Sequence, residues 1–255
     1  MILQRLATSI RKQDWFTVLI ETLIVVLGVF LGLQAQQWAG ENQTKATEAK
    51  LVAQLHDEIV ELQALRGPVI EFRKRWSDGL DLLAVSLYSK VDGDMNPEEC
   101  LSLAFASVVT NPTDDLATLI ELESQGGLSL FRDERIRAAL RDFLLTRARV
   151  RDSREGIALS VRDVFDRYPD LIRIAASNRP SPDDLRNAPP SDVFPSFECD
   201  LAAMREDAAF LNDFEWTRLV RNQHIEDNAL VDQSLANLHS VLDKALGLSH
   251  GSTPP

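Results

Sequence analysis

From Trp15 to Trp38 the chain reads WFTVLIETLIVVLGVFLGLQAQQW, an apolar run that no other stretch of its 255 residues matches in length. At about 1.5 Å of rise per helical residue this run covers roughly 34 Å, enough to cross a hydrocarbon core of about 30 Å with an aromatic ring at each interface. Residues 15–38 are therefore read as a transmembrane helix in the lipid bilayer, with Trp15 and Trp38 as its interface anchors. A cleaved signal peptide would need a shorter apolar stretch and small residues at its exit. Here the run carries Glu21 and leaves through Gln34, Ala35, Gln36 and Gln37.

The flanks set an orientation. Arg5, Arg11 and Lys12 precede the span against Asp14 alone, whereas residues 39–58 hold Lys45 and Lys50 against Glu41, Glu48, Asp57 and Glu58. The positive-inside rule then keeps residues 1–14 in the cytoplasm and exports residues 39–246, leaving a polar, breaker-rich tail at 247–255. The expected location is the bacterial inner membrane, with the large domain on its periplasmic side. A formal charge of -12 repels phosphate backbones, so a nucleic acid partner is not expected.

The polar and small residues of the span share one face. Taking about 100° per residue, Thr17, Val25, Gly28, Gly32 and Ala35 all fall within about 40° of Glu21. Gly28 and Gly32 form a small-xxx-small step, which lets two helices approach closely in lipid, and an acid in hydrocarbon normally faces protein or water. Two readings stay open: a helix that pairs with its own copy or another membrane protein through this face, or a Glu21 that snorkels to the nearby interface beside two glycines spaced by chance.

At these residues the chain resembles an uncharacterised group of bacterial single-span proteins, a family defined only as a domain of unknown function. Its pattern of Glu, Gly, a small residue, Gln and Trp is matched by Glu21, Gly28, Gly32, Gln34 and Trp38, with TLIVVL after the acid. A second stretch, Glu123 to Phe143, resembles that family's internal signature of a small-residue turn, an apolar pair and a helix. The chain departs from the family after Trp38, where Ala39, Gly40 and Glu41 replace the usual Asn-Glu. The resemblance implies an anchor and a helical exported domain, and implies no chemistry.

Beyond the span the pattern is helical throughout. Leu51, Leu55, Ile59, Leu62 and Leu65 make one apolar stripe that continues the membrane helix outward, and Val69, Phe72, Trp76, Leu80, Leu83 and Leu87 make a second, with Gly67-Pro68 expected to kink or break the helix between them. The spacing is irregular enough to favour bundle core over a coiled-coil seam. Asn96 and Pro97 read as the N-cap and first residue of a helix reaching about Val109. The calcium-like Asp92, Asp94 and Asn96 lack the glycine and the bidentate acid that such a loop requires. Thr113, Asp114 and Asp115 are expected to cap a helix ending at Gln125, and a long helix is expected from Asp133 toward Tyr168, closed by Pro169. Its arginines alternate with acids and read as a solvated, ion-paired face. Residues 177–197 carry five prolines and read as an irregular connection, followed by helices near 200–211 and 213–246. No strand of useful length is expected.

The chain lacks nucleophile-elbow, zincin, phosphate-loop and dinucleotide motifs. His56, His224, His239 and His250 are scattered, and the His56-Asp57-Glu58 cluster reads as the solvated part of a helix; no metal, cofactor or catalytic residue is expected. Cys100 and Cys199 are an even set in an oxidising space, and both a bridge between them and two buried free thiols are open. The fold expected is all-α, a single span followed by a helical bundle. The function expected is a non-enzymatic anchored interaction or scaffold protein, with an accessory subunit of an ion-driven membrane complex, using Glu21, as the alternative.

Overall fold

The heptad geometry of three long helices organises the protein. A computed structural model describes residues 15–89, 95–109, 111–125, 127–175 and 196–248, with the side chains of residues 15–18 and 123–125 left undescribed. The proposed cytoplasmic segment, Asp92 and Asp94, most of the proline-rich connection, His250 and the side chains of Trp15 and Thr17 lie outside the described residues.

The fold is all-α apart from two short strands. In chain order the elements are α1 (Trp15–Tyr88), α2 (Pro97–Ala104), α3 (Ala117–Gln125), a 3-10 turn (Gly127–Leu130), α4 (Glu134–Ser160), α5 (Val164–Arg167), β1 (Ile172–Ile174), β2 (Phe197–Cys199), α6 (Leu201–Glu206) and α7 (Ala208–Leu246). Two units divide the chain, Met1–Val52 and Ala53–Pro255.

Within the first unit, α1 is an uncovered helix. Its large apolar side chains from Leu19 to Leu33 are exposed, and none of the 18-residue apolar window is buried. A soluble core helix of this composition would bury one face. Further along, the Thr44 and Thr47 hydroxyls donate to the carbonyls of Gly40 and Gln43 one turn back, which satisfies the hydroxyls within the helix.

In the second unit, α1 carries a buried repeat of three and four residues, with one seven-residue step after Arg66: Leu55, Ile59, Leu62, Arg66, Arg73, Trp76, Leu80, Leu83 and Leu87. On α7 the repeat runs without a gap through Phe210, Phe214, Thr217, Arg221, His224, Asn228, Val231, Leu235, Leu238 and Leu242. The repeat is that of a helix seam. The two helices are antiparallel, as four polar links show in order: His56 to Asp243, Arg66 to Asp232, Ser77 to Asn222 and Asp81 to Arg218. Helix α4 also runs against α7, through Ser153 to Asp227 and the Trp216 indole N–H to the Ser160 carbonyl.

Several boundaries differ from the sequence reading, each for a physical reason. Gly67-Pro68 does not end α1, which is helical through Pro68. Proline removes the bond to the Ala64 carbonyl, but Ala64 and Pro68 lie on the exposed side, where water can replace that bond while the buried repeat continues. Helix α2 starts on the Asn96 cap as expected but stops at Ala104, and the Val108 carbonyl beyond it accepts from buried Arg221 instead of closing a helical turn. Helix α3 begins at Ala117, because the Asp114 and Asp115 carboxylates are drawn off to Arg151. The helix from Asp133 breaks at Val161: Asp163 caps α5, and the Ser160 and Arg162 carbonyls accept from Trp216 and Thr217 of α7. The later break falls at Asp207, whose carboxylate accepts the N–H groups of Ala209 and Phe210, rather than at Asn212.

The strands pair antiparallel, Ile172 opposite Cys199, Arg173 opposite Glu198 and Ile174 opposite Phe197. With three residues each they are too short to announce themselves by alternation. They close the apolar end of the bundle, where Leu83, Leu103, Val164, Ile172, Met204, Phe210 and Phe214 form one cluster. Gly79 is required there: a Cβ would overlap the Ser102 side chain of α2. A disulfide joins Cys100 of α2 to Cys199 of β2, with Cα atoms 5.8 Å apart.

Candidate functional site

Three groups of residues are candidates for a functional role. The first is the face of α1 that carries Glu21, Val25, Gly28, Gly32 and Ala35. All five are exposed, nothing lies within 4 Å of a Cβ built at Gly28 or Gly32, and Trp38 is 70% exposed.

The second group lies inside the bundle, where the seam turns cationic. Arg66 and Arg221 are among the largest fully buried side chains, at 2% and 0% exposure. Arg66 donates from Nε to Asp232 at 2.6 Å and from Nη1 to the Thr113 carbonyl at 2.9 Å. Arg221 donates to the Val108 carbonyl and lies over the Trp76 ring, its carbon 5.6 Å from the centroid. Burial and the positive charge of Arg73 bring Arg221 down to about 10, unusual for a guanidinium. Burial, with Arg221 and Arg73 close by, pushes His224 down to about 4, so its imidazole is neutral. Its Nε2 is 3.5 Å from the Asn228 amide nitrogen, which suits an unprotonated acceptor.

At the edge of this layer Asp213, 3% exposed by its side chain, gathers Arg162, Arg167 and the Tyr168 hydroxyl. Burial alone would raise the Asp213 carboxyl; the hydrogen bonds from Tyr168 and Arg162 and the two arginine charges outweigh it and hold the group below the usual carboxylate range. The arginines expected to form a solvated face on α4 therefore divide. Arg135 and Arg137 make local pairs with Asp133 and Glu134, whereas Arg147 and Arg151 reach across to Asp115 and Asp114.

The third group overturns the solvated reading of His56. His56 is 7% exposed and points at α7, with Nε2 3.0 Å from Asp243 Oδ1 and its ring edge-on to His239 at 5.1 Å between centroids. His239 Nε2 lies 3.6 Å from the same carboxylate oxygen. One ligand atom from each of His56, His239 and Asp243 falls within 4.8 Å of the others. Sequence reasoning missed this set because it looked for acids beside His56 in the chain. The available signal was the four-residue spacing of His239 and Asp243, which places both on one face of α7.

Comparison with known proteins found no matching family model, no matching curated protein and no matching solved structure.

Proposed function

We propose that this protein is a single-span, membrane-anchored helical module of the bacterial inner membrane, non-enzymatic, with residues 1–14 in the cytoplasm and its bundle outside. One observation carries the reading: an 18-residue apolar window of α1 has no buried residue, so among the described residues nothing covers its apolar surface. Lipid is the solvent that such a surface fits. The charge asymmetry of the flanks supports the orientation, and a disulfide between Cys100 and Cys199 suits an oxidising compartment. The grouping with the family of unknown function, through Glu21, Gly28, Gly32, Gln34 and Trp38, belongs to this proposal.

The role proposed is association through the α1 face, with a second copy or with another membrane protein. Gly28 and Gly32 leave that face low, and Glu21 supplies a polar group on the same side. In a membrane two-hybrid assay of the full chain, Gly28→Ile with Gly32→Ile is expected to reduce the dimer signal several-fold, and Val26→Ile on the opposite side to leave it unchanged. Glu21→Gln separates a need for charge from a need for hydrogen bonding. Equal signals from all variants would remove the glycine face from the account.

A further inference from the structure

We propose that His56, His239 and Asp243 form a binding site for one divalent transition-metal cation of the zinc type. Two imidazoles and a carboxylate are a donor set that such cations accept, whereas calcium and magnesium prefer oxygen alone. Two of the three ligand spacings fit the ion as they stand, and the three ligand atoms all lie within 4.8 Å of one another. Ligand atoms held about 2.0 to 2.1 Å from a tetrahedral centre lie roughly 3.4 Å from one another. The Asp243 oxygen is 3.0 Å from His56 Nε2 and 3.6 Å from His239 Nε2, on either side of that value.

The backbone brings the set together, and side-chain rotation is what closing on one ion requires. His239 and Asp243 are one turn apart on α7, the spacing by which helical metal sites place two ligands on one face. His56 comes from α1 and turns its Nε2 inward, while its Nδ1 lies 3.4 Å from Asp57, the outer carboxylate that commonly orients a ligating imidazole. The His239 and Asp243 side chains keep 21% and 18% of their surface exposed, so the set lies near the bundle surface although His239 Nε2 itself is buried. With three protein ligands and water as the fourth, the site would bind and exchange its ion, in contrast to a closed structural site. Occupancy would clamp the start of the α1 seam to the end of α7, so the bound ion would stabilise this end of the bundle. The inference is independent of the membrane reading.

The test uses the full chain, untagged, in detergent, stripped by chelator and titrated with Co2+ or Zn2+ alone. One Co2+ per chain is expected, with the visible absorption of a tetrahedral N,O site and a melting temperature that rises with metal concentration. His239→Gln and Asp243→Asn are each expected to weaken binding by more than the roughly 10- to 100-fold that loss of an outer partner causes. Asparagine keeps an acceptor for His56, so a folded Asp243→Asn variant, checked by circular dichroism and an intact Cys100–Cys199 bridge, isolates the ligand. Asp57→Asn retains all three ligands and is expected to bind about tenfold more weakly. His250→Gln should bind as the parent does. Absence of binding at micromolar metal, or equal affinity in the parent, His239→Gln and Asp243→Asn proteins, would overturn the site.

Discussion

Replacing Cys100 and Cys199 together by alanine is expected to lower the unfolding free energy by about 4 to 5 kcal/mol, the largest effect of any change considered. The bridge spans a sequence separation of 99 residues, so in the unfolded chain it closes a loop holding α3, α4, α5 and β1. Restricting so long a loop removes more denatured-state entropy than a short staple would. The bridge also lies where the structure needs a tie. Cys100 is 3% exposed beside Leu103 on α2, and β2, which carries Cys199, pairs among the described residues with the three-residue β1 alone. Denaturant unfolding in detergent should show the loss, with a melting temperature lower by roughly 10 to 15 °C for a domain of this size. Parent protein treated with reductant should approach the variant. Thiols that alkylate freely in unreduced protein, or equal stability with and without reductant, would exclude the bridge as a stabilising element.

Acid should weaken the bundle through His224 before the carboxylates begin to protonate. An unfolded histidine titrates near 6.5, whereas His224 in the fold is held down to about 4 by burial, Arg221, Arg73 and Arg154 against the opposing Asp227. The native imidazole therefore stays neutral while the unfolded one takes a proton. Stability is complete above the unfolded value and falls as pH drops toward the folded one, by about 2 kcal/mol between about pH 7 and about pH 5 and by about 3 kcal/mol in full. His224→Gln removes the titrating group. Its unfolding free energy should be nearly flat between about pH 7 and about pH 5, and a variant as acid-sensitive as the parent would show that another group carries the slope.

The cationic layer that depresses His224 is also where local sequence reading fails. Arg66 and Arg73 occupy seam positions between apolar neighbours, and an eye that sorts charges to the surface skips them and takes exposed Leu65 and half-buried Phe72 instead. Restoring the two arginines turns an irregular stripe into a regular seam. The Asn96 cap and the helix start at Asp133 were legible because their chemistry is local: Asn96 accepts from the N–H of Glu98 and Asp133 from that of Arg135, each within two residues. Breaks at Val161 and Asp207 were not, since the first depends on Trp216 and Thr217 from α7, more than 50 residues away, and the second on a choice between two nearby aspartates. Asp213, expected to start the last helix, lies inside it as a buried partner for Arg162, Arg167 and Tyr168. His56 failed for the same reason on a longer scale, its partner Asp243 lying 187 residues along the chain. The all-α class and the uncovered apolar helix were readable throughout, because periodicity and length alone carry them.

The account stands on α1 as a membrane span with the bundle exported, and reporter fusions test that most directly. Alkaline phosphatase joined after Gly247, active only where its own disulfides form, should be active, and green fluorescent protein at the same point should stay dark. Both fusions should remain with the membrane fraction after alkaline extraction. An inactive phosphatase with a bright fluorescent fusion would contradict the orientation, and release of either fusion into the soluble fraction would contradict the anchor.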